Sequence, residues 1–282
     1  MNHLIKRLTL MACLLTPQLA CHGMQRAGEA KPPADDVQKK QQEELILGLR
    51  NILYCDEPLD EILDRFVDED DPVHGAVAHL RAKDYARALA TLRGLKGHGE
   101  SSSYWLALAA AYRGQGKLEE ARDAARHLAS DTESRVLAQA WTVLRELGEA
   151  PPPQKADEVL GVVVEMGYDQ GVAIIAGYAD GRARFFGSTG AGYIGEGLPE
   201  PVQKAARALT QEAAPVVRKL NPGARRGYPT RDRVRITVLT PAGLRVADEE
   251  SRRLEESAHP LSGVYLAANK LFLELKNNSE KK

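Results

Sequence analysis

Apolar residues recur at helical spacing through the first half of the chain, and in the second half they fall into strand-like runs, one of them alternating with polar residues, between two further helical patterns. From Val37 to Tyr54, Leu45, Leu47, Leu49, Ile52 and Leu53 lie densely among charges, and Leu59, Ile62, Leu63 and Phe66 continue after Pro58, which predicts two helices. Asp68-Glu69-Asp70-Asp71 ends the second. A calcium loop needs glycine at its sixth position and a bidentate glutamate at its twelfth, whereas Pro72 and Val73 follow this run directly, so it reads as a solvated acidic turn. Farther on, Val136, Leu137, Ala140, Trp141, Leu144 and Leu147 predict another amphipathic helix.

Ala150-Pro151-Pro152-Pro153-Gln154-Lys155 is a stiff spacer, and the period changes after it. Val159–Glu165, Val172–Tyr178 and Arg182–Gly187 read as three antiparallel strands, joined by the turns Gly167–Gly171 and Asp180-Gly181. A helix is expected from Pro199 to about Leu220, with Val202, Ala205, Ala206, Leu209, Ala213, Val216, Val217 and Leu220 on one face and a kink at Pro215. Val234, Ile236 and Val238 alternate with Arg235 and Thr237 in a strand that Pro241-Ala242-Gly243 turns into Leu244–Ala247. Leu261, Val264, Tyr265, Ala268, Leu271, Phe272 and Leu275 predict a closing helix. The fold class is a helical segment followed by an α+β domain of order β-β-β-α-β-β-α, an antiparallel sheet with both helices on one face.

The first residues follow a different logic. Lys6 and Arg7 precede an apolar run from Leu8 to Leu15 broken only by Thr9, and Pro17-Gln18-Leu19-Ala20-Cys21 follows, the order of a secretory signal. The run is too short to span a bilayer. Leu19-Ala20-Cys21 resembles the lipobox of bacterial lipoproteins, with Gln18 where that family usually has leucine. The resemblance implies cleavage before Cys21, acylation of its thiol and a stable anchor through several acyl chains. His22 stands where an inner-membrane retention aspartate would, which by the same resemblance favours the outer membrane. Leu10-Met11-Ala12-Cys13 fits the letters better but leaves too little apolar core after Arg7, and ordinary cleavage after Gly23 or Ala27 would discard Cys21. Gly23 to about Lys40 has almost no large apolar side chain and reads as a tether with a reach of roughly 20 to 25 Å. The expected organisation is signal 1–20, tether 21–40, helical segment 41–149, linker 150–156, α+β domain 157–277 and a disordered tail 278–282.

Within the helical segment, Trp105, Leu108, Ala109, Tyr112, Gly116, Ala121 and Leu128 carry a recognisable spacing. Ala109 and Ala121 are small where two antiparallel helices must approach, and Gly116 lets the chain reverse. Thirty-three residues before Gly116, Lys83-Asp84-Tyr85-Ala86-Arg87-Ala88-Leu89 echoes Gly116–Arg122. Residues 72–148 thus resemble about two tetratricopeptide repeats with flanking helices. The family's pattern is departed from at Ala125, where it has a larger residue, and at Glu133, where it has proline. The resemblance implies a concave groove for a peptide or partner protein faced by Leu106, Ala110 and Arg113; a packed helical domain with no groove in use is the other reading. Gly161–Gly195 resembles a small uncharacterised bacterial domain family, and the element content of this half is similar to roadblock or profilin-like modules. Neither brings an assigned catalytic residue.

Composition narrows the function. With 38 basic and 39 acidic residues among 282 there is no global field to draw in nucleic acid, and 43% apolar with 27% charged residues suits a globular chain with real cores. Cys13 and Cys21 fall in the leader, so Cys55 stands alone in the folded part and reads as a buried thiol. His74, His79, His98, His127 and His259 show no metal-ligand spacing. Gly190-Ala191-Gly192-Tyr193-Ile194-Gly195 has the letters of a dinucleotide fingerprint, but it follows a meander strand, precedes its helix by several residues and puts Glu196 near the phosphates. Ser188 is out of frame for a nucleophile elbow. Arg225, Arg226, Arg231, Arg233 and Arg235 could meet an anionic partner, yet Asp232 and Asp248-Glu249-Glu250 supply local counter-charge.

These readings give an exported, lipid-anchored, non-enzymatic protein acting as a protein-binding adaptor or assembly factor. The expected partner-binding positions are Leu106, Ala110, Arg113, Arg225, Arg226 and Arg231. No catalytic, cofactor or metal residue is assigned, and neither nucleic acid nor a small-molecule substrate is implied. The alternatives are an immunity lipoprotein that blocks an envelope-directed toxin and an enzyme whose site is assembled from distant residues.

Overall fold

A computed structural model describes residues 48, 50–67, 70–95, 101–169, 171–187, 192–194 and 197–279. The signal, Cys21 and the tether lie outside them. Arg50–Lys282 forms one compact unit, distinct from Met1–Leu49. The helical half and the strand-bearing half, set apart in sequence by the prolines at 151–153, both belong to it.

Residues 50–54 are helical, and α1 (Leu59–Phe66) follows after Pro58. Then come α2 (His74–Arg81), α3 (Tyr85–Gly94), α4 (Ser102–Gly114), α5 (Leu118–Leu128) and α6 (Ser134–Glu146). Each packs on the next from α2 onward, α2 also meets α4, and α1 lies on α4. Asp84 caps α3, its carboxylate accepting from the Arg87 amide at 3.2 Å. Ala107, Ala109 and Ala111 of α4, and Ala121 and Ala125 of α5, are fully buried, with α4 enclosed by α1, α2, α3 and α5. Trp105 stacks on His127 with ring centroids 3.9 Å apart.

The second half holds an antiparallel sheet with mixed helix around it. Its strands are β1 (Gly161–Tyr168), β2 (Gly171–Tyr178), β3 (Ala183–Gly187), β4 (Gly192–Ile194), β5 (Asn221–Gly223), β6 (Arg233–Thr240) and β7 (Gly243–Glu250). Their order across the sheet is β4-β3-β2-β1-β6-β7-β5. Pairing of Tyr168 with Gly171 and of Thr240 with Gly243 fixes two tight hairpins. Two short strands, β4 and β5, add to the five expected from the sequence.

Helices α7 (Glu200–Ala213) and α9 (Ser262–Ser279) pack on each other and on β2, with the single turn α8 (Ser251–Leu254) between β7 and α9. The helix expected to bend at Pro215 instead stops at Ala213, and Val217–Lys219 forms a 3-10 turn leading into β5. Proline removes the amide that the next turn would need. α9 runs to Ser279, past the expected boundary at 277.

Val162, Val164 and Met166 of β1 face the two helices, in one cluster with Ile175, Leu209, Ile236, Val238 and Leu271. Gly177 sits beneath them, where an added methyl would lie 3.0 Å from Leu271 and 3.1 Å from Leu209. The intervening residues Val163, Ile174, Ala176, Tyr178 and Leu239 point to the other face and are buried as well. The bonds crossing to that face come from residues 50–56 and α6. The Tyr178 hydroxyl donates to the Leu53 carbonyl at 2.9 Å, and Arg145 Nη1 donates to the Pro241 carbonyl at 2.6 Å.

Asp180, in the β2–β3 turn, accepts from the Ser134 amide at 2.9 Å, while its own amide donates to Ser134 Oγ at 3.0 Å. The turn thereby caps α6 across the interface between helices and sheet. Asp180→Ala is expected to lose about 1–2 kcal/mol, read as a lower denaturation midpoint at unchanged slope, with Asp180→Asn retaining part of the cap.

Candidate functional site

The expected groove face of α4 is covered by the chain itself. Leu106 and Ala110 are buried, and Arg113 ion-pairs with Asp60 of α1 and Glu146 of α6. Four side chains along one face of α6 hold the backbone of the segment that leads into α1. Arg135 Nε donates to the Ile52 carbonyl at 3.3 Å, Gln139 Nε2 to that of Glu57 at 3.1 Å and Thr142 Oγ1 to that of Cys55 at 2.9 Å. Glu146 accepts from the Leu59 amide at 3.0 Å. Positions 135, 139, 142 and 146 share a stripe at helical period, and two of their targets are carbonyls that the helix ending at Tyr54 leaves without intrahelical partners. Cys55 is buried among these groups and burial pushes its thiol up, against a pull from Arg135. Labelling of Cys55 by a water-soluble thiol reagent, followed by mass spectrometry, is expected to be negligible in the native state and complete once this segment opens.

Beside this segment runs a chain of arginines and carboxylates. Arg50 Nε lies 2.8 Å from Glu165 Oε1, with side-chain exposures of 4% and 0%. Glu165 also faces Arg235 at 3.6 Å, and Arg235 Nε donates to Asp248 Oδ1 at 2.8 Å. Asp248 Oδ2 is 3.8 Å from Arg226, whose carbonyl accepts from Arg50 Nη2 at 2.7 Å. Arg50 lies over the Tyr228 ring at 4.5 Å and near Tyr54 at 5.5 Å. Burial pushes the Glu165 carboxyl up, opposed by Arg50 and Arg235, and pushes the Tyr54 phenol up too.

The arginine-rich loop is held by this network rather than left open. Arg225 pairs with Asp56 at 3.1 Å, Arg231 with Asp169 at 2.8 Å, and Arg235 donates to the Gly227 carbonyl. The loop crosses β1 so closely that a methyl on Gly167 would fall 2.0 Å from the Thr230 carbonyl oxygen, which explains a glycine inside a strand.

The network ends at a cleft of about 430 Å³ between the 3-10 turn, β5, the end of β7 and residues 259–261. Its walls carry Lys219, Arg226, Asp248, Glu249 and His259 over Val216, Leu220, Val246 and Leu261. Of the expected partner-binding positions, Arg226 alone reaches this cleft; Asp248 and Glu249, read in sequence as counter-charge, and His259, read as having no metal-ligand spacing, line it as well. Arg50, Glu165, Lys219 and His259 carried no motif; the visible signal was Glu165, a lone charge in the otherwise apolar run 162–166. Gly192–Ile194 of the glycine-rich stretch form β4, and Ser188 and Gly190 lie outside the described residues. Among the described residues no group of three or more histidine, cysteine or acidic side chains could hold a metal, and no helix is long and apolar enough to cross a membrane. Comparisons of the chain with protein-family models, with curated proteins and with solved structures find no match.

Proposed function

We propose that this chain is an exported lipoprotein, anchored through Cys21 at the outer membrane, that works without catalysis as a protein-binding adaptor or assembly factor. The observation that carries the reading is the pair of helical hairpins, α2–α3 and α4–α5, related by the thirty-three-residue echo and joined through buried alanines in the manner of tetratricopeptide repeats. With α1 over α4, the outward sides of α3 and α5 are the repeat surfaces left for a partner; they carry exposed Arg87 and Leu118, with exposed Lys117 just before α5.

Site-specific photo-crosslinking in intact cells tests this. A crosslinker at Arg87 or Leu118 should capture one defined protein, whereas one at Leu266 on α9 should not. Loss of capture on Cys21→Ala would tie binding to the anchor. Absence of any adduct from the repeat surfaces removes the adaptor reading.

A further inference from the structure

We propose that the cleft beside β7 is a binding site for a small carboxylate with a short apolar body. The reading is independent of the adaptor function. The floor of the cleft is apolar: Val216, Leu220, Val246 and Leu261 are each less than a tenth exposed. The polar groups converge from three segments of the chain, as they do in small-molecule sites.

The charge offered to a ligand is positive, although two carboxylates line the wall. Asp248 is engaged from behind by Arg235 at 2.8 Å, and Glu249 by Arg253 at 3.2 Å. Lys219 makes no ion pair with any described residue. Arg226 reaches Asp248 only at 3.8 Å and keeps a side chain 66% exposed, while its backbone is fixed by the bond from Arg50. His259 is oriented as a donor. Its Nδ1 accepts from the Leu261 amide at 3.2 Å, so the proton of the neutral ring sits on Nε2, 3.9 Å from Glu249. A carboxylate at the mouth would meet Lys219 and Arg226, with the apolar body on Val216 and Leu261. Two sources share that chemistry: an amino-acid or peptide C-terminus, and a short fatty acid.

The test uses the full-length chain with N-acetyl-leucine, octanoate and the uncharged control N-acetyl-leucinamide, followed by calorimetry and by amide chemical shifts at Leu220, Asp248 and Leu261. Saturable binding of either carboxylate, weakened at least tenfold in the amide and in the Lys219→Gln/Arg226→Gln double variant, is the expected result; which acid binds identifies the source. Both substituted side chains are solvent-exposed, so unchanged thermal unfolding of the variant keeps the comparison valid, and Lys219→Arg should restore binding if charge is what matters. No binding of either acid, equal binding of the amide, or undiminished binding by the folded double variant overturns the proposal.

Discussion

Arg50→Ala is expected to lower stability by about 3–5 kcal/mol, because it strands the Glu165 carboxylate in a site with no access to water. Glu165 has Arg235 as a second partner, but at 3.6 Å and shared with Asp248, too long and too divided to replace the 2.8 Å contact with Arg50. The pH dependence gives the mechanism. Burial already raises the Glu165 carboxyl in the folded state, and removing Arg50 raises it further. A carboxyl raised on folding contributes stability that is fully present below its unfolded value and is lost as pH rises through the folded one. The deficit of the variant should therefore shrink as the solution is acidified from neutrality toward the ordinary carboxylate range. A pH-independent deficit in urea denaturation would mean that the loss comes from packing over Tyr54 and Tyr228 instead. Arg50→Met/Glu165→Met should recover much of the loss, since paired apolar side chains need no counter-charge.

The second large effect is expected on separating the two halves. Chains covering 72–149 and 157–282, expressed apart, should each fail to melt cooperatively, and a chain starting at 72 should fail likewise. Leu53, Tyr54, Leu59 and Ile62 are essentially inaccessible to solvent. At about 1.5–3 kcal/mol for each large side chain buried, deleting this segment removes on the order of 6–12 kcal/mol, comparable with the whole stability of an ordinary domain. It also uncovers the carboxylate of Glu165 and the Tyr178 side of the sheet. Circular dichroism and calorimetry on the fragments check this; two sharp, independent transitions would show that the proline stretch divides self-sufficient domains.

What could be read from the sequence was local. Runs of apolar, β-branched residues gave β1 and β2, alternation at Val234, Ile236 and Val238 gave β6, and turn residues at Asp180-Gly181 and Pro241-Ala242-Gly243 marked off β3 and β7, because pleat and turn geometry depend on near neighbours. The helical spacing of Leu59–Phe66 and of Val136–Leu147 was equally plain. Strands β4 and β5 escaped for the opposite reason: each is three residues long, too short to show a period, Gly192-Tyr193-Ile194 sits in a glycine-rich stretch and Asn221-Pro222-Gly223 is made of residues depleted in strands, so pairing with β3 and β7 is what marks them.

The candidate site was barely legible. Arg50 and Glu165 stand 115 positions apart, and no local pattern records that they meet. Leu106 and Ala110 were expected to face a groove, yet both are buried and α1 packs on α4. The sequence by itself determined the period of each element and where the chain turns, since those follow from side-chain spacing and backbone geometry. Only the tertiary structure decided that the far side of the sheet would be closed by residues 50–54 and α6. Covering an apolar face is a nonlocal gain in free energy, open to any segment that can reach it.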